Sequence, residues 1–354
     1  MEKKLKDFYK NRKVLVTGAT GFKGAWLCQW LVLLGAKVSG IGFSPNKNKN
    51  LFYSLRLQNK INLKLLDIRN KKKLYTFLKS SKPEIIFHLA AQPLIFEGYK
   101  KPYETYDINF NGTLNLLENA RTLDFIKSFI CITSDKCYAD NFSTKGFTEN
   151  DKLGGVDPYS GSKASIEILA KSYYESFFKF KKRSIATGRA GNVIGGGDWS
   201  PNRLIPDIVN SIHKNKTVVI RNPKFNRPWQ HVLEPLYGYL ILGRMSLIKP
   251  LKFSGAWNFG PKKDKVVDVL SIVKNLIKYW NKGKYKAKQN KKYYEQTNLQ
   301  LDINKAKKIL KWKPKYNTAK SLKITFEWYK SVLEDKYTPQ EITTNQIINY
   351  MNDK

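Results

Sequence analysis

The stretch Lys13-Val14-Leu15-Val16-Thr17-Gly18-Ala19-Thr20-Gly21-Phe22-Lys23-Gly24 decides the fold. Its first five residues form a short β-branched run, the pattern of a buried strand. The run leads into glycines spaced Gly18-x-x-Gly21-x-x-Gly24, and then into a helical stretch from Ala25 to Leu34 closed by Gly35. Such a turn lets backbone come close to a pyrophosphate and aims a helix N-terminus at its charge. Three glycines alone carry little weight, because tight turns use glycine everywhere. Between a strand and a helix they read as a dinucleotide-binding turn.

Working outward, Lys37–Gly42 reads as a second strand, and further strands follow at Leu63–Leu66, Glu84–Leu89, Phe129–Thr133 and Arg183–Gly188. Helical patterns lie at Lys71–Ser80, Tyr103–Ala120 and Tyr159–Phe178. Strands alternating with helices imply right-handed crossovers and a parallel sheet covered on both faces. The predicted class is therefore α/β, a Rossmann-type doubly wound parallel sheet with a smaller C-terminal α/β substrate-binding domain. Beyond Gly188 the chain is broken by Gly191, Gly195-Gly196-Gly197, Pro201, Pro206, Pro223 and Pro228, as suits a loop-rich domain closing over a ligand. The expected division is 1–188 for the dinucleotide domain and 189–335 for the substrate domain, with some chain crossing back. Residues 336–354 read as a polar tail whose end, from Gln340, frays.

The composition agrees with a globular chain. Its 354 residues are 42% hydrophobic, with 20 Tyr, 19 Phe and 8 Trp to fill a core. No run approaches the roughly 18 apolar residues of a membrane helix. Met1–Asp7 has basic residues but no apolar run behind them, which reads as no secretory signal. Three cysteines without zinc-ligand spacing fit a reducing cytosol, so a cytoplasmic location is expected and no metal site is. The net charge of +36 invites a nucleic-acid partner. Only ten of the 64 basic residues are Arg, however, the side chain that reads phosphate and base edges bidentately. A solvated lysine surface is the preferred reading, with no nucleic acid and no membrane as partners.

Two further groups carry chemistry. In Tyr159-Ser160-Gly161-Ser162-Lys163 the tyrosine and lysine lie four apart on a helix, which sets the ammonium beside the phenol. A free phenol, with a pKa near ~10, is a poor base at neutral pH; a neighbouring ammonium and a cationic nicotinamide favour its phenolate. Thr133-Ser134-Asp135-Lys136 follows an apolar strand, and strand C-termini are where such sheets bind ligands. Ser134 can bond a substrate hydroxyl, Asp135 can act as an acid, and Lys136 as a base or acid. His88, inside Phe87-His88-Leu89, reads as a core histidine. For His231, positioning is weighed equally with catalysis.

The order glycine turn, Ser134-Asp135, Tyr159/Lys163 resembles the extended short-chain dehydrogenases, and the detail resembles their CDP-glucose 4,6-dehydratase branch. Matching stretches include Phe87–Pro93, Ile132–Tyr138, Asp157–Ser160, Arg189–Trp199, Arg203–Asp207, Arg227–Pro235 and Trp257–Pro261. Departures are Ala19 for a usual His, Phe96-Glu97-Gly98 for Arg-Leu-Ser, and Tyr294-Glu295-Gln296-Thr297 for His-Glu-Ala-His. The resemblance implies a cofactor site of Gly18, Thr20, Gly21, Phe22, Lys23, Gly24, Ser44, Asp67, Ile68, Ala90, Ala91, Gln92, Asn109, Tyr159 and Lys163. It implies nucleotide-sugar contacts from Gln92, Ser134, Asn192, Asp198, Arg203, Arg221, Arg227 and His231. Arg189, Arg203, Arg221 and Arg227 also suit a diphosphate by their forked geometry. The second strand ends without an acid, so local chemistry admits NAD with Ser44 on the ribose, or NADP with Lys47 and Lys49 on a 2′-phosphate; the resemblance implies NAD. It further implies a 4,6-dehydration of CDP-glucose for deoxysugar synthesis. Tyr159 is then the base at the 4-hydroxyl, Lys136 the base at C5 and Asp135 the acid at C6. It also implies a homodimer or homotetramer, in which the stripe Tyr103, Tyr106, Phe110, Leu114 and Leu117 pairs with the Tyr159–Phe178 helix unless it is core. Two readings compete: a related dehydratase or epimerase acting on another nucleotide sugar, and a non-catalytic basic binding protein.

Overall fold

The computed structural model describes residues 2–43, 49–139, 146–220, 222–223, 228–262, 267–287 and 300–353. Ser44, Lys47, Arg221, Arg227 and the Tyr294–Thr297 segment lie outside them. The strands are β1 (Lys13–Thr17), β2 (Lys37–Gly42), β3 (Asn62–Leu65), β4 (Ile85–His88), β5 (Ser128–Ile132), β6 (Ser184–Ala190), β7 (Val193–Ile194), β8 (Val218–Ile220), β9 (Gln230–His231), β10 (Gly255–Phe259) and β11 (Tyr285–Ala287). Seven make one sheet in the order β10-β6-β5-β4-β1-β2-β3. Every pairing in it is parallel, with Val14 level with Ile85 on one side and with Val38 on the other. The order reverses between β1 and β4, so the loops after these two strands part and leave a crevice at the sheet's C-terminal edge. β7 pairs with β9 and β8 with β11, beyond that edge.

The central strands are apolar on both faces because both are covered. One face packs Trp26, Trp30 and Leu31 from the helix Phe22–Leu33, together with Leu236, Leu240 and Phe259. The other packs Leu74, Phe77, Leu116, Leu117 and Ile166. The long helix expected at Tyr103–Ala120 is interrupted. Helices Pro102–Tyr106 and Gly112–Thr122 are joined by a wide π-helical turn over Asp107–Asn111. Gly112 sits where a Cβ would stand 2.5 Å from Ile68, so the turn allows close approach to the loop after β3.

The polar tail is a correction. Residues Pro339–Asn352 form a helix, opened by a capping box between Thr338 and Glu341, with Ile342, Thr343, Ile347 and Tyr350 buried. It packs on the dinucleotide helix: Tyr350 meets Trp30 edge-on at 5.7 Å, and Gln29 donates to Thr344 at 2.9 Å. The chain's start is likewise anchored, with Tyr9 donating to the Leu240 carbonyl at 2.8 Å.

Candidate active site

A cavity of about 1280 Å³ opens over the C-terminal ends of β1, β4, β5 and β6. Its floor on one side is the glycine turn. Gly18 has a positive φ of 71°, and a Cβ there would stand 2.7 Å from Ala90 N; one at Gly24 would stand 2.0 Å from the Gly18 carbonyl oxygen. Only bare backbone fits, which leaves a cradle a dinucleotide's pyrophosphate can enter. Thr20, Phe22, Lys23, Asp67, Ile68, Ala90, Ala91 and Gln92 line the same cavity. Arg69, which sequence reasoning passed over, lines it as well and pairs with Asp67 at 2.6 Å and Asp107 at 3.1 Å. That bonding holds the Asp67 carboxyl below its usual range.

Asn109 does not reach the cavity; it is buried behind it. Its amide accepts from Gln92 N at 2.8 Å and donates to Ser162 at 2.9 Å, so it positions Gln92 against the Tyr159 helix. His88 is the core histidine expected. Thr113 donates its one hydroxyl proton to Asn109 O at 2.6 Å, so His88 Nε2 must donate to Thr113 and Nδ1 accept from Thr17. Burial keeps this ring neutral, with its pKa lowered to about 3.

The catalytic candidates come together on the next wall. Ser134 caps the turn Asp135–Cys137, accepting from Lys136 N at 3.2 Å, and its hydroxyl donates to Asp135 at 2.9 Å. Gly191 makes room for Asp135: a Cβ there would stand 2.7 Å from the carboxylate. Lys136 lines the cavity, half-buried rather than sealed in a dry site. Tyr159 and Lys163 lie on the helix Pro158–Tyr173, whose N-terminus Asp157 caps by accepting from Ser160 N. The expectation for Tyr159 needs correcting. Burial pushes its phenol up to about 12, and the main offset is a hydrogen bond with Ser134, with Arg203 a lesser one. Lys163 instead donates to the Ile132 carbonyl at 3.2 Å.

On the substrate side, Asn192, Asp198 and Arg203 line the cavity, and Arg203 pairs with Asp198 at 2.9 Å. Lys23 faces the same space; burial, then Arg203 and Lys163, lower its pKa to about 8. Three cations converging on one enclosed space suit a diphosphate. Two assignments move. His231 is buried against Trp26 with ring centroids 5.7 Å apart, and its Nδ1 accepts from Leu233 N; it does not line the cavity. Arg189 is buried on β6 and binds Glu167 at 2.9 Å rather than meeting a diphosphate. Both residues look loop-borne in sequence, but tertiary packing encloses them. Glu167 was not among the expected residues, although its spacing of four from Lys163 and eight from Tyr159 sets it on their face.

With this geometry in view, the family model for GDP-mannose 4,6 dehydratase matches residues 15–325. The chain belongs to the GDP-mannose 4,6-dehydratase family. Among its curated relatives, the CDP-glucose 4,6-dehydratase of Salmonella typhimurium strain LT2 is 41% identical over 332 residues, covering 92% of each chain. The UDP-glucuronate 4-epimerase of Thermodesulfobacterium geofontis is 27% identical over 336 residues. Among solved structures, a Bacillus anthracis dTDP-glucose 4,6-dehydratase in complex with NAD superposes with a TM-score of 0.75 at 24% identity, over 93% of this chain and 99% of that one. That last likeness is one of fold. The family's dehydratases and epimerases share it, so the reaction must be argued from the side chains.

Proposed function

We propose that this chain is a CDP-glucose 4,6-dehydratase, converting CDP-D-glucose to CDP-4-dehydro-6-deoxy-D-glucose and water. The observation that carries the reading is Ser134-Asp135-Lys136 at the end of β5, in the cavity wall beside Tyr159. The similarity to the Salmonella enzyme supports the CDP-sugar. The glycine cradle and the cavity walls around it fit NAD. Bound there, NAD would supply a hydride acceptor that gives the hydride back to the same sugar, so none would be consumed overall.

The chain's own residues do the rest. Ser134 orients the 4-hydroxyl, and Tyr159, whose phenolate the positive charge of bound NAD would favour against the cost of burial, takes its proton as the ketone forms. The new ketone acidifies the C5 proton, which Lys136 removes, while Asp135 protonates the departing C6 hydroxyl. Base and acid act in one elimination: the proton from Asp135 leaves in the water, Lys136 returns a proton to C5 as C6 regains its hydrogen, and the proton taken by Tyr159 replaces that of Asp135 through solvent. Arg203, paired with Asp198, holds the substrate diphosphate. The same reading places the enzyme in the cytoplasm and makes it a homodimer through the helices around residues 102–122 and 158–178. On these, Tyr103 is 83% and Ile168 61% exposed, so only the far end of the predicted stripe, at Leu117, is core.

The test is a panel of CDP-, UDP-, GDP- and dTDP-hexoses, with loss of water followed by mass spectrometry. Dehydration of CDP-glucose ahead of the others is expected. Preference for another nucleotide moves the chain to a sister dehydratase. No turnover, with salt-sensitive DNA binding instead, overturns the enzyme reading.

A further inference from the structure

We propose that the buried Glu167–Arg189 ion pair is a jig that fixes Ser134-Asp135-Lys136 against Tyr159, and that the elimination step depends on it while oxidation at C4 does not. The inference rests on the roles given above to Asp135 and Lys136.

Both ends of the acid–base segment hang from this one pair. On the entering side, Thr133 donates its hydroxyl to one carboxylate oxygen of Glu167. The other oxygen accepts from Arg189 Nη2 at 2.9 Å and from Thr187 at 2.6 Å. On the leaving side, Arg189 Nη1 donates to the Tyr138 hydroxyl at 2.8 Å, and the guanidinium carbon lies 4.8 Å from that ring's centroid. Tyr138 in turn donates to Asn258 on β10 at 2.7 Å. Glu167, Arg189, Thr133 and Tyr138 are all at most 5% exposed. The carboxylate stands on the same helix face as Tyr159 and Lys163, so the helix that presents the phenol also sets where the acid and base hang.

A pair so buried is a poor way to add stability, because apolar side chains of similar volume would do as well, whereas removing one partner leaves a buried charge uncompensated. What the pair adds is a fixed distance. Oxidation centres on Tyr159, which the helix Pro158–Tyr173 carries itself. Elimination needs Asp135 and Lys136 to meet C6 and C5 together, so it is the step sensitive to drift of the segment.

The test compares three variants that each remove one hydroxyl from the same ion pair and leave both charges in place. Thr133→Val and Tyr138→Phe cut the segment's ties, whereas Thr187→Val cuts a tie to β6 only. In single turnovers with NAD and CDP-glucose, Thr133→Val should reduce the nicotinamide, seen by its near-ultraviolet absorbance, at close to the wild-type rate. Dehydrated sugar should then appear about 10- to 100-fold more slowly. Tyr138→Phe should do the same, Thr133→Ser should restore the rate, and Thr187→Val should lose comparable thermal stability with both steps near wild type. The inference fails if Thr133→Val and Thr187→Val behave alike. It also fails if the segment variants slow both steps equally, and Tyr138→Phe decides the matter should Thr133→Val not fold. Wild-type protein that reduces the nicotinamide but never loses water would overturn the proposed function and this inference with it.

Discussion

Around Gly18–Gly24 the cavity wall is made by the backbone of a few neighbouring residues, closed so tightly that a Cβ at Gly24 would lie 2.0 Å from a carbonyl oxygen. Around Gly195–Asp198, across the same cavity, the wall hangs from distant parts of the chain. Trp26 donates to the Gly196 carbonyl at 3.0 Å, and Tyr329 donates to that of Asp198 at 2.5 Å. The Trp328 ring lies where a Cβ of Gly196 would point, at 1.9 Å. The last two come from the helix Thr318–Leu333, which the helix Pro339–Asn352 braces through Trp328 to Thr343 at 2.9 Å. The cofactor side is thus fixed locally and the substrate side remotely. Loss of the Tyr329 bond to Asp198 should therefore reach substrate affinity before it reaches the cradle.

The largest expected effect breaks the local side. Gly24→Ala sets a methyl against backbone that cannot yield as a side-chain tip would, so dinucleotide binding should fall by a factor of ~100 or more and the melting temperature should drop, since overpacking costs ~1–3 kcal/mol. Near-normal binding by calorimetry would show the cradle to be adaptable. A smaller effect probes the remote side. Tyr329→Phe removes the hydroxyl that holds Asp198, and through it Arg203, so KM for the nucleotide sugar should rise severalfold, in keeping with the loss of ~1 kcal/mol. Dinucleotide affinity and kcat should stay near wild type. A matching loss of dinucleotide affinity would erase the distinction between the two sides.

An effect with no expected change in ligand affinity at all concerns Glu234, which ties the far end of the brace. Its carboxyl accepts from Tyr316 N at 2.6 Å and from the Tyr350 hydroxyl at 2.8 Å, yet burial raises its pKa to about 7 from 4.5. The protonated form suits the fold, so its contribution is full below the unfolded value near 4.5 and is lost as pH rises through about 7. Across that window it adds a slope of at most ~1.4 kcal/mol per pH unit. Glu234→Gln should flatten this part of the stability–pH curve. An unchanged slope would remove Glu234 from the account.

The same contrast explains what could be read from the residues in order. The strands, the glycine turn, Ser134-Asp135-Lys136 and Tyr159/Lys163 announce themselves within a few positions, because strand, turn and helix face are local properties. The Pro339–Asn352 helix did not. Its buried residues include Thr343 and Gln346, whose burial depends on bonds to Trp328 and to the Ile324 carbonyl, though the Thr338–Glu341 capping box was a local sign of its start. Arg189 and His231 were misplaced for a related reason. Whether an arginine meets a diphosphate or Glu167, or a histidine meets a sugar or Trp26, depends on partners that are distant in sequence.

The most direct test of the central claim follows one hydrogen. CDP-glucose deuterated at C4 is converted by the protein with NAD, and the product is analysed by mass spectrometry and NMR. On the proposed mechanism the transfer is internal, so the label should arrive at C6 of the 4-keto-6-deoxy sugar with no net reduction of cofactor. Label accumulating in released NADH, with the C6 hydroxyl still in place, would contradict it and leave a simple dehydrogenase.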